Sequence, residues 1–202
     1  MKMFCRSFFA LLILATLQAP GIAHSETAEN RVAIFQSNLL EVMKEAETLA
    51  VQERYTRLKP IVSDAFNLPL MAGLSAGDHW KTATPEQRKR LVTSFSRMSI
   101  ATLATLFSSY SGEEFKFIGT RDAKQGLRIV DTELDSPKKE KAVVISYVTQ
   151  KREGDWRLID VIVNGGISEL RVRISEYRQT LQNGGIEALI SLLDEKADQL
   201  LS

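Results

Sequence analysis

Ser75 lies at the centre of a Gly-x-Ser-x-Gly pattern that runs from Gly73 to Gly77. The same pattern surrounds the nucleophilic serine of many hydrolases, where the serine follows a strand and a distant histidine acts as general base. Here the residues before Ser75 have helical periodicity, and the only histidine after it, His79, is four positions away. The pattern therefore favours a loop of small residues between two helices, and an esterase that uses Ser75 remains the enzymatic alternative.

Metal, cofactor and nucleic-acid binding have no strong pattern in the sequence. Asp78 and His79 are adjacent, which gives one imidazole without a second ligand at a spacing typical of a metal site. The Asn-Gly-Gly triplets at 164–166 and 183–185 are typical of helix boundaries, not of phosphate-binding loops. Lys and Arg number 26 against 25 Asp and Glu, a balance that argues against a nucleic-acid partner. We therefore expect a protein without catalysis, a metal or a cofactor.

The first 25 residues have the layout of a secretory signal peptide. Lys2 and Arg6 precede an apolar run over 8–17, and small residues follow it, so cleavage is expected after Ala23 or Ser25. A transmembrane anchor would need roughly 20 apolar residues, and this run is shorter. The sequence thus predicts export with removal of the leader.

Cleavage would leave residues 26–202, which we expect to form a single domain. It would also remove Cys5, the only cysteine of the chain, so the mature protein would contain no disulfide and no thiolate ligand or nucleophile. The stability of the domain must then come from its core.

The spacing of apolar residues is helical up to about Tyr110. The clearest start is Thr84-Pro85-Glu86-Gln87, in which Thr84 can cap the helix, Pro85 suits the first turn and Gln87 completes a capping box. We expect this helix to reach Tyr110 and to stop at Gly112. Further helices are expected near 28–49, 51–58 (before Pro60), 61–74 in short pieces, 167–181 and 186–201.

Between 114 and 163 the period changes to two, which predicts about four strands. The last two, near 142–150 and 156–163, are joined by a hairpin turn at 151–155 and are apolar on both faces. An antiparallel sheet with one solvated face would not have this pattern. Either helices cover both faces or one face lines an internal cavity. The order of helices, strands and helices predicts an α+β fold.

Three stretches of the sequence together resemble one protein family. They are Gly-Asp-His-Trp-Lys-Thr-Ala-Thr-Pro-Glu-Gln-Arg at 77–88, Trp-Arg-Leu-Ile-Asp-Val at 156–161 and Gly-Gly-Ile-Glu-Ala-Leu-Ile at 184–190. In this order they resemble the MlaC family, also described as toluene-tolerance auxiliary components of ABC transporters, over about 32–196. After Gly165 the chain departs from the common pattern and is similar to the HpnM branch, which is associated with hopanoid biosynthesis genes.

The resemblance implies a fold and a function. The implied fold has helices wrapping a strongly twisted antiparallel sheet, with an apolar cavity between them. The implied function is that of a soluble periplasmic carrier, without catalysis, which binds a hopanoid or a phospholipid. Its partners would be the membrane-bound lipid transport complexes of the inner and outer membranes. A lipid-free periplasmic adaptor of a membrane transporter is the other non-enzymatic alternative.

The periodicity of the strands and of the long helix selects candidate residues for such a cavity. Side chains that share one face of a strand alternate along it, and those on one face of a helix recur every three or four residues. The candidates are Phe95, Met98 and Phe107 on the helix, and Val143, Ile145, Tyr147, Ile159, Val161 and Val163 on the strands. Enclosing two acyl chains would require more than the roughly 300–1,000 Å³ of a drug-sized site.

Three arginines follow the last predicted strand: Arg171, Arg173 and Arg178. Their spacings of two and five do not form one narrow helical stripe. They are therefore either a solvated helix face or a contact for an anionic headgroup at the mouth of the pocket.

Overall fold

The computed structural model describes residues 26–202, and the signal peptide predicted for residues 1–25 lies outside them. The α+β class predicted from the sequence is confirmed. Five helices precede the sheet and one long helix follows it. They are α1 (Ala28–Lys44), α2 (Val51–Ala65), α3 (Leu68–Ala76), α4 (Asp78–Thr82), α5 (Pro85–Leu106) and α6 (Glu169–Leu201).

The sheet is antiparallel throughout, and its strands pair in chain order. It contains five strands where about four were expected, because a two-residue strand follows the hairpin and pairs with its second arm. The strands are β1 (Glu114–Asp122), β2 (Leu127–Asp135), β3 (Val143–Arg152), β4 (Asp155–Val163) and β5 (Ile167–Ser168).

The predicted hairpin between β3 and β4 is confirmed and turns at Glu153 and Gly154. Their φ angles are 54° and 97°, and Arg152 pairs with Asp155 across the turn. Positive φ at both central residues defines a type I′ turn, whose twist matches that of the flanking strands. Gly154 adopts this conformation at no steric cost.

Two β-bulges interrupt the ladder. One lies on β1 between Phe117 and Gly119. The other lies on β4, where Leu158 pairs with Thr149 and Asp160 pairs with Val148, so that Ile159 has no partner across the ladder. A bulge bends its strand and breaks the alternation of side chains at that point.

Aromatic packing and one buried hydrogen bond join α1 to the sheet. The Phe35 ring is in edge-to-face contact with Phe66, with ring centroids 5.1 Å apart, and with Tyr147 of β3 at 6.1 Å. One residue further, the amide of Gln36 donates a buried hydrogen bond of 3.0 Å to the hydroxyl of Thr132 on β2. A buried polar group is costly unless it is paired, so this bond fixes α1 against the sheet.

Helices α5 and α6 pack side by side although the whole sheet separates them in the chain. Leu91 and Phe95 of α5 and Tyr177 of α6 are fully buried in this region of the core. At the surface, Arg97 forms a 2.5 Å ion pair with Asp198, and Arg90 is 2.9 Å from Glu187. Exposed ion pairs of this kind add little to the free energy of unfolding, so the two helices are held together mainly by burial of their apolar faces.

Two predicted helix boundaries are wrong. Helix α2 continues through Pro60, because Pro60 and Thr56 are both exposed and water can bond to the carbonyl that proline leaves unpaired. Helix α5 ends at Leu106 rather than Tyr110. The break predicted at 183–185 is confirmed, because α6 consists of two helical segments that meet at Gly185, whose φ is 65° and whose ψ is −155°.

None of the helices within residues 26–202 combines the length and the apolarity that a membrane span requires.

The capping box predicted at the start of α5 is confirmed and gives a test of local stability. The Thr84 hydroxyl accepts the N–H of Gln87 at 3.2 Å, and the Gln87 side chain accepts the N–H of Thr84 at 2.9 Å. We expect Thr84→Ala to lower the free energy of unfolding by about 1 kcal/mol, because it leaves a helix N–H without its partner. Urea denaturation measures the change. Thr84→Ser keeps the hydroxyl and is the control, and an unchanged Thr84→Ala midpoint would contradict the role of the cap.

Candidate functional site

An apolar cavity of about 560 Å³ lies between the helices and one face of the sheet. Its helical wall comes from α1, α2, α3 and α5, and its sheet wall comes from β1 to β4. The sequence left two explanations for strands with two apolar faces, and the cavity is the correct one. The residues of these four helices that line the cavity are Phe35, Leu39, Met43, Val62, Leu68, Met71, Ser99, Thr102, Leu103 and Leu106.

The cavity is smaller than the sequence argument required. Its volume lies inside the 300–1,000 Å³ range of drug-sized sites rather than above it. Aromatic packing reduces the volume, because the rings of Phe35, Phe66 and Tyr147 contact each other and occupy part of the space between α1 and the sheet. Burial raises the pKa of the Tyr147 hydroxyl, so this part of the wall carries no charge at neutral pH.

Six of the nine predicted residues line the cavity. Five of them lie on the inner face of the sheet, and Phe107 lies in the segment that follows α5. The six are Phe107, Val143, Ile145, Tyr147, Val161 and Val163. Tyr147 faces Val161 across the β3–β4 ladder, and Ile145 faces Val163, which accounts for their common side. Contact with a ligand stays a prediction for all of them.

The other three predicted residues do not line the cavity. Phe95 and Met98 lie nearer the N-terminus of α5, where the side chain of Arg173 from α6 covers both. Ile159 is the unpaired residue of the β4 bulge, so the two-residue alternation that placed it with Val161 does not hold there. All three are buried in the core instead.

Sequence reasoning missed most of the helical wall. Phe35, Leu39 and Met43 form the apolar stripe of α1, which was interpreted only as helix amphipathicity. Their spacing of four was visible in the sequence. The missing information was that α1 faces a cavity, because a core and a cavity wall require the same apolar residues.

Polar and charged groups gather at one end of the cavity. This end, the mouth, is formed by the segment after α5, the β2–β3 loop and the first turns of α6. The polar lining residues of these segments are Ser109, Ser111, Glu113, Ser136, Lys138, Lys139, Glu169 and Arg173. The remainder of the lining is predominantly apolar, so the cavity has one polar and one apolar end.

Glu113 ties two segments of the mouth together. Its carboxylate accepts the Ser111 N–H at 2.6 Å and the Ser136 hydroxyl at 2.9 Å. Burial acts to raise the pKa of this carboxyl. The hydrogen bonds from Ser111, Ser136 and its own N–H, with the charge of Lys138, outweigh burial and hold the pKa below its ordinary value of 4.5. The carboxylate is therefore ionised and structural at neutral pH.

Ser75 does not have the geometry of a nucleophile elbow. It lies within α3 and is buried, and its hydroxyl donates to the carbonyl of Ala72 at 2.9 Å. The predicted loop is therefore wrong, since only Gly77, with φ 57°, links α3 to α4. A side chain at Gly73 would approach the Trp80 ring to 3.1 Å, so this glycine permits close packing of the indole.

No group of three or more metal-ligating side chains occurs in residues 26–202. His79 lies on α4, two residues after Gly77, and its neighbour Asp78 forms a 2.7 Å ion pair with Lys81. This exposed i,i+3 pair stabilises a short helix rather than a metal site.

Two comparisons with known proteins gave a match, one showing the family and the other showing the fold. The family model described as MlaC protein matches residues 35–195. No curated protein matches the sequence significantly. A solved structure of a phospholipid-binding protein from Ralstonia solanacearum, in complex with a phospholipid, superposes with a TM-score of 0.77 at 18% identity. The alignment covers 88% of this chain and all of that one, and at this identity the likeness shows a common fold.

The hydrogen bonds of Glu113 predict a pH-dependent contribution to stability. Because its pKa is lowered by folding, the stabilisation is present above the ordinary value of 4.5 and is lost as the pH falls through the folded-state value. We expect Glu113→Gln to melt at a lower temperature than the wild type at pH 7, and the two curves to converge as the pH falls below 4.5. Glu114→Gln, an exposed neighbour, is the control. A difference that persists unchanged at acid pH would contradict this assignment.

Proposed function

This chain belongs to the MlaC family, and we propose that it is a periplasmic lipid carrier whose cargo is a phospholipid or a hopanoid. Residues 26–202 would form the lipid-binding domain, and residues 1–25 would direct export. The proposal draws on the family membership, on the signal-peptide pattern of the sequence and on the cavity between helices and sheet.

The distribution of polar groups in the cavity carries the proposal. An amphipathic molecule needs an enclosed apolar volume for its tail and a polar exit for its headgroup. The inner walls of α1, β3 and β4 supply the first, and the mouth supplies the second. Each methylene removed from water contributes about 0.8 kcal/mol, so a tail would be bound without any polar contact to it.

The cavity volume limits how much of a lipid is enclosed. The cavity of about 560 Å³ is comparable to a site for a drug-sized ligand. A volume of this class is suited to one acyl chain or to a compact polycyclic skeleton. A lipid with two chains and about 30 methylenes requires the walls to separate or part of a tail to stay at the mouth.

The cargo would pass between membrane-bound lipid transport complexes of the inner and outer membranes. This route is taken from the family resemblance and from the predicted export. A carrier needs a mouth from which the lipid can leave, and the loops of the mouth lie at one end of the sheet, where β1 and β3 begin and β2 and β4 end. Handover would then involve that end of the molecule.

Solvent extraction of the purified protein followed by mass spectrometry tests the function and its alternatives. Lipid at about one molecule per chain supports the carrier. A protein that never acquires lipid, even after incubation with vesicles, would support the lipid-free adaptor. Turnover of an ester substrate that Ser75→Ala abolishes would support the esterase and overturn the carrier, since the buried Ser75 hydroxyl has no general base beside it.

A charge introduced on the cavity wall should abolish lipid binding. Val161 is half-buried, lines the cavity and faces Tyr147 across the ladder. We expect Val161→Glu to purify folded and without lipid, because a carboxylate beside an acyl tail costs several kcal/mol in desolvation whereas water can reach it in the empty cavity. Thermal melting and extracted lipid are the two measurements.

Ile162→Glu is the matched control for Val161→Glu. Ile162 is the next residue of β4, half-buried on the opposite face of the sheet and not part of the cavity lining. We expect it to keep its lipid. Stoichiometric lipid in Val161→Glu would show that Val161 does not contact the cargo, and an unfolded Val161→Glu beside a folded control would place Val161 in the packed core.

A further inference from the structure

Arg173 brings a guanidinium to the wall of the cavity, whose lining also includes the cations Lys138 and Lys139 at the mouth. It lies on the first turns of α6, is half-buried and lines the cavity near its mouth. Its Nη1 donates to the Tyr177 hydroxyl at 3.2 Å and lies 3.3 Å from the sulfur of Met98. The guanidinium carbon is 5.8 Å from the centre of the Phe95 ring. These contacts fix the position of the group without neutralising its charge.

The charge of Arg173 has no counterion within the described chain. No carboxylate of residues 26–202 forms an ion pair with it, although Glu169 lies one helical turn earlier and also lines the cavity. Glu113, the other carboxylate of the mouth, is occupied by Ser111 and Ser136. Arg173 therefore keeps a positive charge at the cavity wall that no ion pair within these residues offsets.

The free edge of the guanidinium is the one that binds oxyanions. Both hydrogen bonds of Arg173 use Nη1, whereas Nε and Nη2 donate to no acceptor of the described residues and remain accessible. The Nε–Nη2 edge presents two parallel N–H groups, a geometry that matches two oxygens of a phosphate or a carboxylate. The group is therefore oriented for a bidentate contact that no protein atom in this range makes.

The two other arginines near the start of α6 lie outside the cavity lining. Arg171 and Arg178 are exposed and do not line the cavity. Of the two interpretations that the sequence left open, the solvated face describes these two residues. Arg173 alone has the position that a headgroup contact requires.

We propose that Arg173 binds an oxyanion of the cargo, so that the carrier selects lipids whose headgroup bears a phosphate or carboxylate next to the tail. This inference rests on the proposed lipid-carrier function and narrows it: a neutral polycyclic alcohol would leave the guanidinium unpaired. The tail supplies most of the affinity through burial, and Arg173 supplies discrimination between headgroups, because its bond to an anion is made only by the charged lipid.

Lipid uptake from vesicles measures this selectivity. Delipidated protein is incubated with vesicles of phosphatidylcholine that contain either phosphatidylglycerol or a diacylglycerol with the same acyl chains. The bound lipid is then extracted, and its amount is measured by mass spectrometry. We expect the wild type to prefer phosphatidylglycerol over diacylglycerol by about 10- to 100-fold, the range expected for a hydrogen-bonded charge pair. Arg173→Gln should lose this preference while its uptake of diacylglycerol stays unchanged.

Arg171→Gln and Arg178→Gln are the matched controls, since each removes the same charge from the same helix. Both should keep the wild-type preference. A preference that also survives in Arg173→Gln would overturn the proposal, as would a wild type that binds both lipids equally. In those cases lipid is still bound and the carrier function stands, whereas a wild type that takes up no lipid at all, phosphatidylcholine included, would overturn the carrier function itself.

Inorganic phosphate separates a lipid headgroup from a free anion. If the oxyanion belongs to the lipid, phosphate added to the delipidated protein should raise the melting temperature far less than phosphatidylglycerol does. Saturable stabilisation by phosphate alone, without any headgroup preference, would overturn the lipid assignment. If Arg173→Gln does not fold, Arg173→Lys replaces it, since lysine keeps the charge but lacks the two parallel N–H groups. Arg173→Lys should retain only part of the preference for phosphatidylglycerol. A wild type without that preference overturns the proposal even if neither variant folds.

Discussion

A cavity persists in a folded protein only if its walls are held apart, because close packing otherwise eliminates voids. In this molecule the edge-to-face contacts of Phe35 with Phe66 and Tyr147 perform that role. They join α1, the end of α2 and β3 at a fixed separation, and the buried bond from Gln36 to Thr132 secures α1 against sliding along the sheet. The separation of α1 from the sheet, and with it the width of the cavity at this point, depends on this junction.

The same junction explains why the volume is modest. Aromatic rings that hold two walls apart also fill the space beside them, so the opening of the cavity and the loss of its volume have one cause. A tail that enters would exchange ring–ring contacts for ring–tail contacts of similar strength.

The elements of the fold were predictable where local chemistry determines them. The capping box at Thr84 and the tight turn at Glu153 and Gly154 depend on a few adjacent residues, and both were found where expected. Pro60 was misleading, because a proline inside a helix removes one backbone hydrogen bond without always ending the helix, and here both Pro60 and Thr56 are exposed to water.

The site was predictable only in part, because its geometry depends on contacts between distant elements. The strand positions around Tyr147 and Val161 followed from alternation, but a single extra residue in β4 moved Ile159 to another environment. Phe95 had the apolar character of a lining residue, yet Arg173, far away in the chain, covers it. The first glycine of the Gly-x-Ser-x-Gly pattern makes room for the Trp80 ring, a contact that no motif encodes.

The separation of α5 and α6 in the chain has a consequence for the order of folding. The surface contacts between α5 and α6 join residues that are separated by 97 or 101 positions in the chain, with the whole sheet between them. Each hairpin of the sheet, by contrast, closes a short loop. Closing a long loop costs more conformational entropy and is slower, so the strands are expected to pair before the two helices meet. Until α6 docks, the face of α5 that carries Leu91 and Phe95 lacks Tyr177 as its packing partner. The apolar contact between these two helices is therefore the last part of the core to be buried, although it holds some of the most completely buried side chains of the domain.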